Sequence, residues 1–338
     1  MKFFKKTILT AVIAFSSIMV FAQTQTDAIN TYNQARELAQ AKDYDAAISA
    51  YTNAITIATQ LGAEGNDIKE RSEKQIPKLY FSKAVESYNA FKSSPSIPNL
   101  DAAITNFGEA QEVGSDSGDD EVARRSTGVL AQLHYQKATM LFKREDFAGA
   151  DASLNNAINT NSNYAKAYYQ KGLVHKKINP DDTDGIIGWF DRAIAVGTQV
   201  NDRDVVRQAN EAAHADLLYK GSKAIEARRN SQAVDMLERS LEYNETSSDS
   251  YYRLAEVSNK TGSSDSAIDY ATKALANEQG GSTDKAKIYF ELGLAYQVKG
   301  DNAKSCEAFK SASYGSFRAP SEHKIEFELK CKSASPSN

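Results

Sequence analysis

Proline is scarce in this chain: six in 338 residues, at Pro77, Pro95, Pro98, Pro180, Pro320 and Pro336. Long helices can therefore run uninterrupted. Stretches of alternating Val, Ile and Thr are missing, which removes the period-two signature of a half-buried strand. No block of basic residues occurs, and the formal charge is −4. That balance argues against nucleic acid or an anionic membrane surface as a partner. The four histidines, His134, His175, His214 and His323, are scattered, with no H-E-x-x-H pattern and no cysteine–histidine cluster at metal spacing. No glycine-rich loop precedes a Lys-Ser/Thr pair. The acidic stretches SDSGDDE and NPDDTDG lack the alternating ligands and closing glutamate of a calcium loop. The expectation is a protein with no metal, no cofactor and no catalytic centre.

What is present is an ordinary share of apolar residues, 41%, and of charged ones, 25%. With abundant alanine, this composition favours an all-α protein. The first residues read as an export signal, residues 1–22. Lys2, Lys5 and Lys6 precede an apolar run from 8 to 21, too short for a confident membrane span. Val20 and Ala22 put small residues at −3 and −1 of a cleavage site after Ala22; the alternative is an uncleaved anchor helix. No cysteine follows the run, which excludes a lipoprotein anchor. Cleavage would remove three lysines and no acid, taking the formal charge from −4 to −7. The mature chain is then expected in the periplasm or outside the cell, without a stable membrane span. Its leading Gln23 resembles the start of exported proteins of the Bacteroidota.

Cys306 and Cys331 are the two cysteines. In an exported protein such a pair is often a disulfide; two buried thiols are the alternative, and the absence of C-x-x-C spacing argues against a redox pair.

A spacing recurs along the chain. In AKIYFELGLAYQVKGDNAKSCEAFKSA, Tyr289, Leu292, Gly293 and Tyr296 form one helical stripe, and Ser305, Phe309 and Ala312 another after a turn at Gly300-Asp301. The 12-residue step from Gly293 to Ser305 is repeated from Ala35 to Ala47, followed at matching intervals by Tyr51 and Ala54. Further copies carry Ala84 with Ala103, Phe107 and Ala110; Ala138 with Ala150, Leu154 and Ala157; Gly172 with Ile186, Phe190 and Ala193; Gly221 with Ala233, Leu237 and Ser240; and Ala255 with Ala267, Ala271 and Ala274. The copies start near residues 28, 77, 131, 165, 214, 248 and 286. The intervals 131 to 165 and 214 to 248 equal 34 residues. Three longer intervals imply that the first helices of copies two, three and five extend backward, with a kink at Pro77. These extensions are expected to cover a neighbouring repeat; extra partner surface is the alternative.

The pattern resembles the tetratricopeptide (TPR) repeat, a helix–turn–helix unit of 34 residues. The resemblance implies a right-handed α-solenoid of about seven repeats over residues 23–320, a polar-faced capping helix over 321–332 and a disordered tail over 333–338. It also implies a non-enzymatic scaffold that holds a protein or peptide segment in its concave groove, in cell-envelope assembly or secretion; a glycan-binding surface protein of a nutrient-uptake system is the alternative. One first-helix position is expected to face that groove. It holds Tyr32, Phe81, Tyr135, Tyr169, Leu218, Tyr252 and Phe290, a ladder of flat apolar surfaces that would suit an extended partner or a helix. Packing between repeats is the alternative use of the same position. Arg36, Lys166, Lys176, Lys177 and Lys287 are expected beside the ladder, where they would suit an acidic partner segment.

Overall fold

The computed structural model describes residues 24–331. The expected leader, its cleavage after Ala22 and the tail 333–338 lie outside the described residues. Among the described residues there is no β-strand, and no helix is long and apolar enough to cross a membrane. The chain divides into two compact units between Asn161 and Ser162.

The first unit contains α1 (Gln25–Gln40), α2 (Tyr44–Gln60), a 3-10 turn at Gly62–Gly65, α3 (Asn66–Glu73), α4 (Ile76–Ser93), α5 (Ile97–Ser117), α6 (Asp120–Lys143) and α7 (Phe147–Thr160). α1 packs on α2, α4 on α5 and α6 on α7, and each pair leans on the next through α2 with α4 and α5 with α6. The core is a line of small residues filled by a few large ones. Ala35, Ala47 and Ala54 surround Tyr51, and Ala84, Ala103 and Ala110 surround Phe107. Burying rings against alanine lets helix backbones approach closely while excluding water.

The second unit contains α8 (Ala165–Ile178), α9 (Thr183–Gln199), α10 (Arg203–Glu226), α11 (Asn230–Tyr243), α12 (Ser248–Lys260), α13 (Ser264–Asn277), α14 (Ser282–Lys299), α15 (Asn302–Ala312) and α16 (Arg318–His323). Here too successive pairs stack, and the first helices touch in series: α8 with α10, α10 with α12, α12 with α14. Each unit is thus a layered helical solenoid whose core continues from pair to pair, because one pair alone cannot cover its own apolar side.

A recurring local device makes the turns. The chain steps through a left-handed residue and then an aspartate that caps the next helix. Lys42 precedes Asp43, Gly118 precedes Asp119, Glu145 precedes Asp146, Asn201 precedes Asp202 and Gly300 precedes Asp301. The Asp146 carboxylate accepts from the Gly149 amide at 2.9 Å, and Asp301 from Lys304 at 3.1 Å. The positive φ ends one helix, and the carboxylate satisfies an amide that the next would leave orphaned.

Two expectations are corrected in detail. The second repeat's first helix is not one kinked helix: α3 and α4 are separate, broken at Lys74-Gln75, with Pro77 in the first turn of α4. Proline costs nothing there, because the first-turn amides have no intrahelical partner. The extended first helices of the third and fifth repeats, α6 and α10, do run unbroken. The capping helix expected over 321–332 starts earlier and stops sooner. α16 begins at Arg318 and passes into a π-helical turn at Lys324–Glu328, and the chain then leaves the helix through Lys330 at φ 49°. That exit brings Cys331 back to α15, where it is joined to Cys306 by a disulfide with the Cα atoms 5.9 Å apart.

Candidate functional site: the first-helix faces

The aromatic position on the first helices has a repeated geometry. Its ring packs against the large residue of the second helix in the same repeat. Tyr32 meets Tyr51 at 5.4 Å between centroids, Phe81 meets Phe107 at 5.7 Å, Tyr169 meets Phe190 at 6.0 Å and Phe290 meets Phe309 at 5.4 Å. The first, second and fourth of these are edge-on, the arrangement that ring quadrupoles favour. Leu218 packs against the cluster of Ala224, Leu237 and Leu254. Helix packing therefore claims one side of each of these four rings. The other side differs from repeat to repeat.

In the first unit Tyr32 is buried, and the Arg71 guanidinium of α3 lies 4.7 Å over its ring. Phe81 is half-buried, with the Arg125 guanidinium of α6 4.3 Å above it. The extensions α3 and the start of α6 thus lay a cation over the aromatic of the preceding repeat. Tyr135 is half-buried on α6. Arg36 is exposed on α1.

Phe81 lines a cleft of about 990 Å³ in this unit. Its floor is Phe81, Val85 and Val122; its rim carries Lys78, Glu86 and Arg125. The acids Asp119 and Glu121 and the base Lys42 also reach it, so charges of both signs edge an apolar floor. Ser82, Asn89 and Ser93 also line it, so the cleft pairs a small apolar floor with a wall rich in hydrogen-bonding groups.

In the second unit Tyr252 is half-buried on α12 between Arg253, 5.1 Å from the ring centroid, and Lys287 of α14, 5.0 Å away. Burial, then the neighbouring Glu256, pushes its hydroxyl up to about 12. The hydroxyl therefore stays a neutral hydrogen-bonding group at physiological pH. Along the same face, Asn259 donates to the Glu291 carboxylate at 2.7 Å and to the Glu291 carbonyl at 2.9 Å. Its own side-chain oxygen is buried without a hydrogen-bond partner. Glu291 is 8% exposed, and burial raises its carboxyl above the usual range. Burial also works to raise Glu256, but hydrogen bonds from Lys260 and Arg253 outweigh it and hold that carboxyl low.

The cations expected beside the ladder separate into two kinds. Lys176 lies 2.7 Å from Asp216 of α10, whose fully buried carboxylate also takes Lys220 at 3.0 Å. Lys287 lies 2.6 Å from Asp249. Much of their charge is answered inside the chain. Lys166 and Lys177 are exposed on α8. His175, on the same helix, lies 2.7 Å from Asp182, and that bond, then the Gly185 amide, holds the Asp182 carboxyl below its ordinary value. Burial pushes the half-buried His134 imidazole down, which keeps it neutral. Trp189 lies between Lys171 and Arg192, each 4.8 Å from its ring.

Sequence reasoning missed Arg71 and Arg125, because a cation above a ring has no fixed spacing from it. It missed the Asn259–Glu291 pair for a similar reason: the two lie 32 residues apart and meet only once α12 and α14 are stacked. No group of described residues has the donors to hold a metal ion.

No curated protein sequence matches this chain. Among solved structures, the chain is similar to YrrB, described as a TPR protein with an unusual peptide-binding site, at 18% identity and TM-score 0.35, covering 58% of this chain and 92% of that one. It is similar to MamA 41-end from Desulfovibrio magneticus RS-1 at 17% identity and TM-score 0.33, covering 60% and 97%. The P58(IPK) TPR domain is matched at 14% identity and TM-score 0.31, covering 89% and 98%. At such identities and scores these likenesses say nothing of what this chain binds. Residues 220–282, from the second half of α10 to the first residue of α14, match the family model described as tetratricopeptide repeat.

Proposed function

We propose that this chain is a protein-interaction scaffold that holds a segment of a partner against its first-helix faces. The observation that carries the reading is the cleft at Phe81: an apolar floor of Phe81, Val85 and Val122, rimmed by Lys78, Glu86 and Arg125. A peptide would lay apolar side chains on that floor and exchange hydrogen bonds with the rim, and the half-buried Tyr252 face of the second unit offers a second contact of the same kind. The mixed charge of the rim suits a partner segment that combines an apolar anchor with polar flanks. The charged and apolar pattern of residues 1–22 supports an exported scaffold, periplasmic or secreted, acting in cell-envelope assembly or secretion.

Selection of peptides from a displayed random library on the mature chain tests this. Selected peptides should bind, and Phe81→Ala and Tyr252→Ala should weaken that binding by about tenfold, the effect of removing an aromatic anchor. Failure to select any peptide, or equal binding by both variants, would reject the reading. Selection by glycans instead would favour a surface carbohydrate-binding protein.

A further inference from the structure

Phe290 is the last residue of the aromatic ladder, and the chain itself sits on it. After α15 the backbone turns through Gly315–Phe317 and places the Phe317 ring 5.4 Å from Phe290. Gly315, at φ 53°, passes so close to Thr283 of α14 that an added Cβ would lie 3.0 Å from its methyl. About two helical turns beyond Phe290 on α14, Gln297 donates to the Glu328 carboxylate at 3.1 Å. The C-terminal strap, residues 313–331, thus packs on α14 through its 3-10 turn and on α15 through α16 and the π-helical turn, with an aromatic group on Phe290 and a carboxylate on Gln297.

The strap's own grip is weak. None of its large apolar side chains is fully buried: Tyr314 and Phe327 are exposed, and Phe317, Ile325 and Leu329 are half-buried. Its one fully buried residue, Ser321, has a hydroxyl with no hydrogen-bond partner, which opposes docking. The covalent tie from Cys331 to Cys306 on α15 supplies what burial does not. Both cysteines are half-buried.

We propose that the strap is a thiol-released pseudo-ligand: held by the Cys306–Cys331 bond it occupies the α14 face, and on reduction it leaves that face open to a partner segment of like chemistry, an aromatic side chain accompanied by a carboxylate. The step balances with a dithiol reductant. One of its thiolates attacks a sulfur of the bond and forms a mixed disulfide; its second thiolate displaces the chain's sulfur. The chain gains two electrons and two protons as two thiols, and the reductant leaves as a disulfide. This inference rests on the scaffold reading for the use of the face, but the strap's release is measured without any partner.

Hydrogen–deuterium exchange on the mature full chain, with and without dithiothreitol, tests the release. Amides of 313–331 should exchange about tenfold faster or more on reduction, while those of α14 and α15 stay protected. A labelled peptide selected from a displayed library on the Cys306→Ser/Cys331→Ser chain tests the face. It should carry an aromatic residue beside a carboxylate and bind that chain and not the oxidised chain, and changing its aromatic residue to alanine should weaken binding at least about tenfold. Equal protection of the strap in both redox states would overturn the proposal. So would selected peptides that all bind both forms equally, or the selection of none. Peptides selected at Phe81 would survive any of these outcomes, so the two readings fail separately.

Discussion

Gly293 of α14 lies under the ring of Phe309 of α15: a Cβ added at 293 would stand 2.8 Å from the ring edge. The same relation joins Gly172 to Phe190 at 2.6 Å and Gly221 to Leu237 at 2.8 Å. In these three repeats a missing side chain on the first helix makes room for the large residue of the second. Gly293→Ala should therefore destabilise the chain by about 1–3 kcal/mol despite alanine's better helix propensity, because Phe309 is fully enclosed and cannot step aside. Phe309→Ala should cost about 3–5 kcal/mol by leaving a cavity. Urea unfolding of the two variants measures both.

Glu145 turns the chain between α6 and α7 at φ 62°, a conformation that costs any residue with a Cβ. Glu145→Gly should stabilise by about 0.5–1 kcal/mol. Asp146→Ala, next to it, should destabilise by about 1 kcal/mol, because the Gly149 amide loses its acceptor. Opposite shifts in melting temperature from adjacent residues would support the turn's assignment to these two roles.

Asp216 is fully buried between Lys176 and Lys220. Asp216→Ala leaves the Lys220 ammonium, whose side chain is 16% exposed, without its counter-charge. The expected loss is about 3 kcal/mol, the order found when one member of a buried pair is removed. A loss no larger than that of an ordinary surface substitution would mean that solvent reaches the pair.

Glu291 has a carboxyl raised above the ordinary 4.5 by burial. A group whose folded value is raised favours folding in its protonated form. Its contribution is fully present below the ordinary carboxylate value and is lost as pH rises from there to the raised value. Glu291→Gln keeps an acceptor for the Asn259 amide and removes the titration. The variant should be more stable than the parent at pH 7, with the gap closing as pH falls from the raised value to the ordinary carboxylate value and closed below it. Denaturant midpoints of both proteins from pH 3.5 to 8, on the order of half-unit steps, give the curve.

The helix pairs were legible because their signal is periodic and local. The 12-residue step from a small residue on one helix to a small residue on the next marks the place where backbones touch, and Gly293 with Ser305 meets that demand directly: the Ser305 hydroxyl donates to the Gly293 carbonyl at 2.8 Å. The break between α3 and α4 was not legible, because Pro77 fits the first turn of a new helix as well as a kink. The faces were only partly legible. Tyr32 and Phe81 occupy the same repeat position, yet Tyr32 is buried and Phe81 opens on a cleft. What separates them is how the next segment packs, α3 over one and the start of α6 over the other, and no spacing in the sequence encodes that. Lys176 reads as a surface cation until α10 brings Asp216 against it.

The scaffold claim is tested most directly by hydrogen–deuterium exchange of the chain with a selected peptide bound. The account predicts new protection on the first helices, at α4 and the start of α6 around Phe81 and at α12 around Tyr252, with α5, α7 and α13 unchanged. Protection confined to the second helices would contradict it.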